Sequence, residues 1–175
     1  MFKKLVQGVA WLGGKAVDTL FNLLDDEPIP KEFFSHYFSE AELIKSDTAI
    51  RHGIKNEPNS QQKYNLMMIA QHLLDPIREK FGAFSPSSGF RSKELNDLIG
   101  GAPNSQHMQG EAVDFEVPGV DNLKLYNWIK NSDLPYDQLI LEHYEEGNPN
   151  SGWIHISYKT QGKRRQAFML PRRNP

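Results

Sequence analysis

Two kinds of apolar spacing divide this chain, and their order along it constrains the fold more than any single residue does. Early on, apolar residues recur at three- and four-residue steps, as on a helix: Leu66, Met67, Ala70, Leu73, Leu74, Ile77 and Phe81 form one stripe, stopped by Gly82. Later segments alternate with period two over Glu111 to Val117, Gln138 to Tyr144, Trp153 to Tyr158 and roughly Arg165 to Leu170, the spacing of half-buried strands. Helices first and strands afterwards do not fit the strict alternation of a doubly wound sheet. They predict an α+β domain: a mainly antiparallel sheet with helices on one side.

Local signals sharpen the helices. Ser39 followed by Glu42 fits a capping box, and Asn59 or Ser60 can cap the long stripe. Pro76 has no amide hydrogen to donate and is expected to bend or divide that helix at Asp75. Ser92 caps a short helix over Lys93 to Ile99 that stops at Gly100-Gly101, and Asp121 caps another over Asn122 to Lys130.

The N-terminus reads separately. Phe2, Leu5, Val6, Val9, Leu12, Ala16, Val17, Leu20, Phe21 and Leu24 make residues Met1 to Leu24 an amphipathic helix, followed by an Asp25 to Pro30 linker. Lys3, Lys4, Lys15 and Asp18 interrupt any membrane-spanning run, and no small-residue cleavage pattern marks a signal peptide. The expected partition is therefore residues 1–30 as helix and linker and residues 31–175 as the main domain. The helix could pack on the domain or on a second copy, lie on a membrane surface, or dock into a larger assembly such as a virion.

Charge and cysteine content exclude several functions. Lys+Arg number 20 against 22 Asp+Glu, a net charge of -2, so the whole chain is not a polyanion binder. The balance is uneven: Lys159, Lys163, Arg164, Arg165, Arg172 and Arg173 close the chain without an acid, leaving 14 minus 22, or -8, for residues 1–158. That basic end reads as a solvated strand and tail, or as attraction to an anionic surface; no nucleic-acid motif accompanies it. With no cysteine, disulfides, thiol nucleophiles and Cys-ligated metals are excluded, and any metal must be held by nitrogen and oxygen.

The chemistry concentrates on two strands. Along Glu111 to Val117, Val113, Phe115 and Val117 share a face and Asp114 points to the other; along Trp153 to Tyr158, Ile154, Ile156 and Tyr158 share a face and Trp153, His155 and Ser157 share the other. Asp114 and His155 thus both point away from their aliphatic sides. His107 stands seven residues before Asp114, a span of about 23 Å if extended, whereas zinc ligands place their donor atoms about 2.0–2.2 Å from one ion. The chain must turn back between them, and Gly110 supplies the backbone freedom. Two imidazoles and one carboxylate leave a fourth position open, the ligand set of a catalytic zinc.

Zinc hydrolysis also needs a base. A hairpin of Gln138–Tyr144 with Trp153–Tyr158, closed by a loop from Glu145 to Gly152, would pair Tyr144 with Trp153 and set Glu142 opposite His155. His143 adjoins Glu142 but is expected on the opposite face. His36, His52 and His72 read as structural histidines, and Arg91 by itself as a solvated loop residue.

Together, SGFRS (Ser88 to Ser92), SQHMQGEAVD (Ser105 to Asp114) and WIHIS (Trp153 to Ser157) resemble the zinc D-Ala-D-Ala carboxypeptidases and their relatives. That group includes phage L-alanyl-D-glutamate endopeptidases and vancomycin-resistance dipeptidases, and it shares its fold with the signalling domain of hedgehog proteins. The resemblance runs from about Phe33 to Tyr158. It implies that His107, Asp114 and His155 hold one zinc ion, that Arg91 binds substrate and steadies the oxyanion, and that Ser105 lies near the substrate. Several members carry the acidic base three residues before the last histidine, where this chain has Gly152; Glu142, in the Gln138–Glu142 pattern QLILE, is expected to take that role. The implied function is hydrolysis of peptidoglycan stem or cross-link peptides containing D-amino acids, at the bacterial cell wall, by a bacteriophage lysis or entry enzyme. The alternative is a non-catalytic virion or wall-binding module that keeps the fold.

Overall fold

The computed structural model describes residues 34–172, so the readings for the Met1–Leu24 helix, its linker and Arg173 lie outside the described residues. Helices lead: α1 (Glu40–Ile44), α2 (Asp47–His52), α3 (Ser60–Ile69) and α4 (Asp75–Phe81). Ser39 and Glu42 form the expected capping box on α1, and Asn59 forms a second with Gln62 on α3. Between α3 and α4 the helix does not break but widens into a π-turn over Ala70–Leu74. Pro76 explains it, since it withholds a donor and its ring would crowd the carbonyl one turn earlier, and the wider turn accommodates both. α2 was not anticipated; Ser46 caps it and Gly53 ends it in the left-handed conformation.

The rest of the chain supplies the sheet. A short strand β1 (Pro86–Ser88) precedes α5 (Lys93–Leu98), a 3-10 turn (Gln106–Gln109) and β2 (Ala112–Phe115); α6 (Asn122–Asn131) is followed by β3 (Gln138–Tyr144), β4 (Trp153–Ser157) and β5 (Gln166–Pro171). The five strands are ordered β1-β2-β4-β3-β5. The pairs β1–β2, β2–β4 and β3–β4 are antiparallel, but β5 joins β3 in parallel, so the sheet is mixed. Alternation along a strand reports its faces and not its partner's direction, so the parallel edge had no local signature.

One face of this sheet is the core. Val113, Phe115, Leu139, Leu141, Ile154 and Ile156 pack against Leu66, Ile69, Leu73 and Ile77 of the α3–α4 run and Leu125 and Ile129 of α6. Each such side chain removed from water contributes about 1.5–3 kcal/mol. Those contacts fix which way every strand faces. The opposite face of β2 and β4 is left for polar residues.

The basic end is largely matched inside the fold. Arg164 clamps Asp137, Arg165 donates to the carbonyls of Leu134 and Ser132, Arg172 pairs with Glu145 at 3.0 Å, and Lys163 lies 4.7 Å from the centre of the Tyr158 ring. No helix among the described residues is long and apolar enough to cross a membrane.

Candidate metal centre

β2 and β4 bring two of the three donors together directly: Asp114 and His155 are cross-strand partners, on the face away from the aliphatic core. His107 arrives by the reversal that the spacing demanded. It sits in the 3-10 turn, where its own backbone amide donates to the Ser105 hydroxyl, and Gly110 ends that turn at φ 66°. Only glycine fits there, because a Cβ would collide with the Gln62 carbonyl as well as meet a left-handed backbone.

The three donors converge closely. His155 Nδ1 lies 2.8 Å from Asp114 Oδ1, His107 Nε2 lies 3.2 Å from the same oxygen, and the two imidazole nitrogens are 3.2 Å apart. All three residues are buried. His107 Nδ1 lies 2.7 Å from the Gly89 carbonyl, which can only accept, so Nδ1 carries the proton and Nε2 turns a lone pair inward. Three such atoms held this close call for a positive charge among them, a shared proton or a metal ion. A tetrahedral zinc with arms of 2.0–2.1 Å separates its donors by about 3.3 Å, so the observed spacing fits such an ion with little adjustment.

Arg91 is the fourth member of the cluster. Its Nη2 donates to Asp114 Oδ2 at 2.6 Å and its Nε to the Ser88 hydroxyl at 2.9 Å, while its backbone amide donates to the His107 carbonyl. The lone reading of Arg91 as a solvated loop residue is therefore corrected: it is drawn in by a buried carboxylate. Burial by itself would raise the pKa of Asp114, but the charges and hydrogen bonds of His107 and His155 outweigh it and hold the carboxyl below its usual range. One Asp114 oxygen faces the imidazoles and the other is occupied by Arg91.

The hairpin register differs from expectation. Glu142 pairs with Trp153, and it is Ile140 that faces His155. The shift is two residues, so Glu142 keeps its face but stands one pair further along. Local backbone geometry causes it. His143 takes φ 54°, and Tyr144 leaves the β4 ladder to pair with Pro171 of β5, while the Ser151 hydroxyl accepts from the Glu145 amide and gathers the loop. Gly152, at φ 71°, presses against the Glu142 carbonyl so closely that a Cβ would collide. The position where several relatives carry their acid cannot bear a side chain here.

His143 also departs from expectation. Its ring stacks on Trp153, with centroids 4.8 Å apart and planes 19° from parallel, and Trp153 shares the face of His155. His36, His52 and His72 lie outside the triad, as expected: His36 packs edge-on against Tyr37, His52 ends α2, and His72 stacks on Tyr158. Burial, then the charge of Lys163, lowers the His72 pKa.

One cluster near the centre escaped sequence reasoning. Asp137, at 0 % exposure, accepts from the Arg164 backbone amide at 2.7 Å, from Arg164 Nη2 at 2.6 Å and from Gln106 Nε2 at 2.9 Å. Gln106 immediately precedes His107, so the clamp fastens the turn that carries a donor to the starts of β3 and β5. Nothing local in the sequence announces that Asp137 has a partner 27 residues away.

No curated protein matches the chain. The family model described as Peptidase M15 matches residues 36–157, a span that runs from before α1 through the end of β4 and contains His107, Asp114 and His155. The chain therefore belongs to the peptidase M15 family, the zinc-dependent D-Ala-D-Ala carboxypeptidase-like metallopeptidases.

Proposed function

We propose that this protein is a zinc-dependent hydrolase of peptidoglycan stem or cross-link peptides containing D-amino acids, acting at the bacterial cell wall as a bacteriophage lysis or entry enzyme. The convergence of His107 Nε2, Asp114 Oδ1 and His155 Nδ1 carries this reading. Zinc bound there supplies Lewis-acid polarisation of the scissile carbonyl and makes water a better nucleophile near neutral pH. The two imidazoles and Asp114 are its holders, and the Gly89 carbonyl fixes the tautomer that His107 needs.

Glu142 is proposed as the base that takes a proton from the attacking water and returns it to the leaving amine. In its favour, it is the β3 carboxylate on the donor face, and its side chain makes no hydrogen bond or ion pair among the described residues. Arg91 has two proposed tasks: Nη2 and Nε hold Asp114 and Ser88, and Nη1, which has no partner among the described residues, donates to the oxygen on which charge develops. Ser105, which caps the His107 turn, is proposed to lie beside the bound peptide.

The test uses the purified full chain with added zinc on peptidoglycan sacculi. New amino groups should appear and a chelator should stop their release, with mass analysis of the fragments identifying the bond. Zinc uptake without cleavage of any wall type would overturn the hydrolase.

A further inference from the structure

The residue pair next to the metal donors along the sheet is built unusually. Trp153 is two residues from His155 on the same face of β4, a distance of about 7 Å along an extended strand. Its cross-strand partner is Glu142. Simple alternation would send the next residue, His143, to the far side. Instead His143 takes φ 54° and lays its ring on Trp153.

That conformation is costly for a residue with a β-carbon. Among the described residues Arg165 is the other non-glycine with positive φ, and there two carbonyl oxygens reward its guanidinium. His143 has no such partner. Its ring is exposed, and the ring stack is its contact with Trp153. Gly152 completes the arrangement from below, because its missing side chain lets the Glu142 carbonyl and the His143 backbone come close. The hairpin thus holds a flat aromatic surface one residue pair from the donors, with the His143 ring exposed to solvent.

We infer that the His143–Trp153 stack is a substrate-binding subsite that grips the uncharged, C–H-rich part of the peptide about two residues from the bond to be cut. The inference rests on the proposed peptidase function. An extended peptide advances about 3.3 Å per residue, so a chain with its scissile carbonyl at the donors carries its second residue over the stack. An alanine methyl or a backbone plane fits a flat ring, whereas a carboxylate is disfavoured by the negative face of its π-system. His143 and Trp153 are positioned to set affinity and choice of peptide, whereas Glu142, paired with Trp153 across the hairpin, serves the chemistry.

Two variants separate the ring from the backbone that presents it. His143→Ala and His143→Gly both remove the ring, so both should lose about tenfold in kcat/KM on soluble wall peptides, mainly through a higher KM. They should differ in stability: the glycine variant, free of the left-handed penalty, should melt about 2–4 °C above the alanine variant. His143→Phe should recover most of the KM. Binding is read without turnover by sedimenting the Glu142→Gln protein with insoluble peptidoglycan sacculi, with and without His143→Ala. Weaker sedimentation of the double variant supports the subsite even if the wild type cuts nothing, which would fell only the hydrolase reading. Wild-type KM in both ring-less variants, or unchanged sedimentation of the double variant, would overturn the subsite.

Discussion

Asp114 and Asp137 are both buried carboxylates, both held below the usual carboxyl pKa, and both bonded to an arginine, yet they do opposite work. Asp137 is complete: Arg164 grips it through side chain and backbone, Gln106 adds another donor, and Gln106 in turn accepts from Arg164. Nothing more can be bound there. Asp114 is complete on one side only. Arg91 takes Oδ2, while Oδ1 faces two imidazoles whose own donor atoms crowd each other at 3.2 Å. A paired charge whose lone pairs are all met builds structure. One whose free oxygen converges with two imidazole nitrogens on a common point invites a cation.

The sharpest way to break this contrast is to remove one donor from the open cluster. His155→Ala should abolish stoichiometric zinc by metal analysis and lower activity on sacculi by at least about 10²-fold. Glu142→Gln should keep the metal and lose comparable turnover; near-normal rates would dismiss Glu142 as the base. Asp137→Asn should keep both stoichiometric zinc and turnover.

The next largest effect concerns stability. If only the Asp114 cluster has an oxygen left open to a cation, zinc at about 100 times its Kd should add about 2.7 kcal/mol, which a chelator reverses. Thermal melts read this directly, and equal melting temperatures with and without zinc would mean that the cluster takes no ion. Asp137→Asn should cost about 2 kcal/mol in urea unfolding, by weakening a buried charged network. A neutral outcome would make the clamp ornamental to the fold.

The smallest effect is acid sensitivity. Burial raises the Asp137 pKa, but the Arg164 hydrogen bonds outweigh it and bring the carboxyl down to about 2. A depressed folded-state pKa means the contribution is fully present above the ordinary value near 4 and is lost as pH falls from there toward about 2. Because the Arg164 side chain is 46 % exposed and solvent screens it, the loss should be only about 1–2 kcal/mol. Urea midpoints across that window should fall for the wild type and less steeply for Asp137→Asn; parallel curves would deny the linkage.

Much of this was legible before any coordinates. Caps announced α1, α3, α5 and α6, because Ser39, Asn59, Ser92 and Asp121 act on amides two or three residues away. Alternation announced that Asp114 and His155 turn from the aliphatic side. The register of Glu142 was not legible, since it depends on a left-handed His143 and a glycine contact across the hairpin. The Asp137–Arg164 clamp and the parallel seat of β5 were not either.

The sequence by itself determined the periodicities, the caps and the three donors with the turn that must join them, because those are short-range consequences of backbone geometry and side-chain chemistry. Only the tertiary structure decided that Asp114 and His155 are direct partners, that Arg91 holds the spare oxygen, and that His143 lies on Trp153. Those contacts join residues distant along the chain, and their free energies exist only once the core has set the strands against one another.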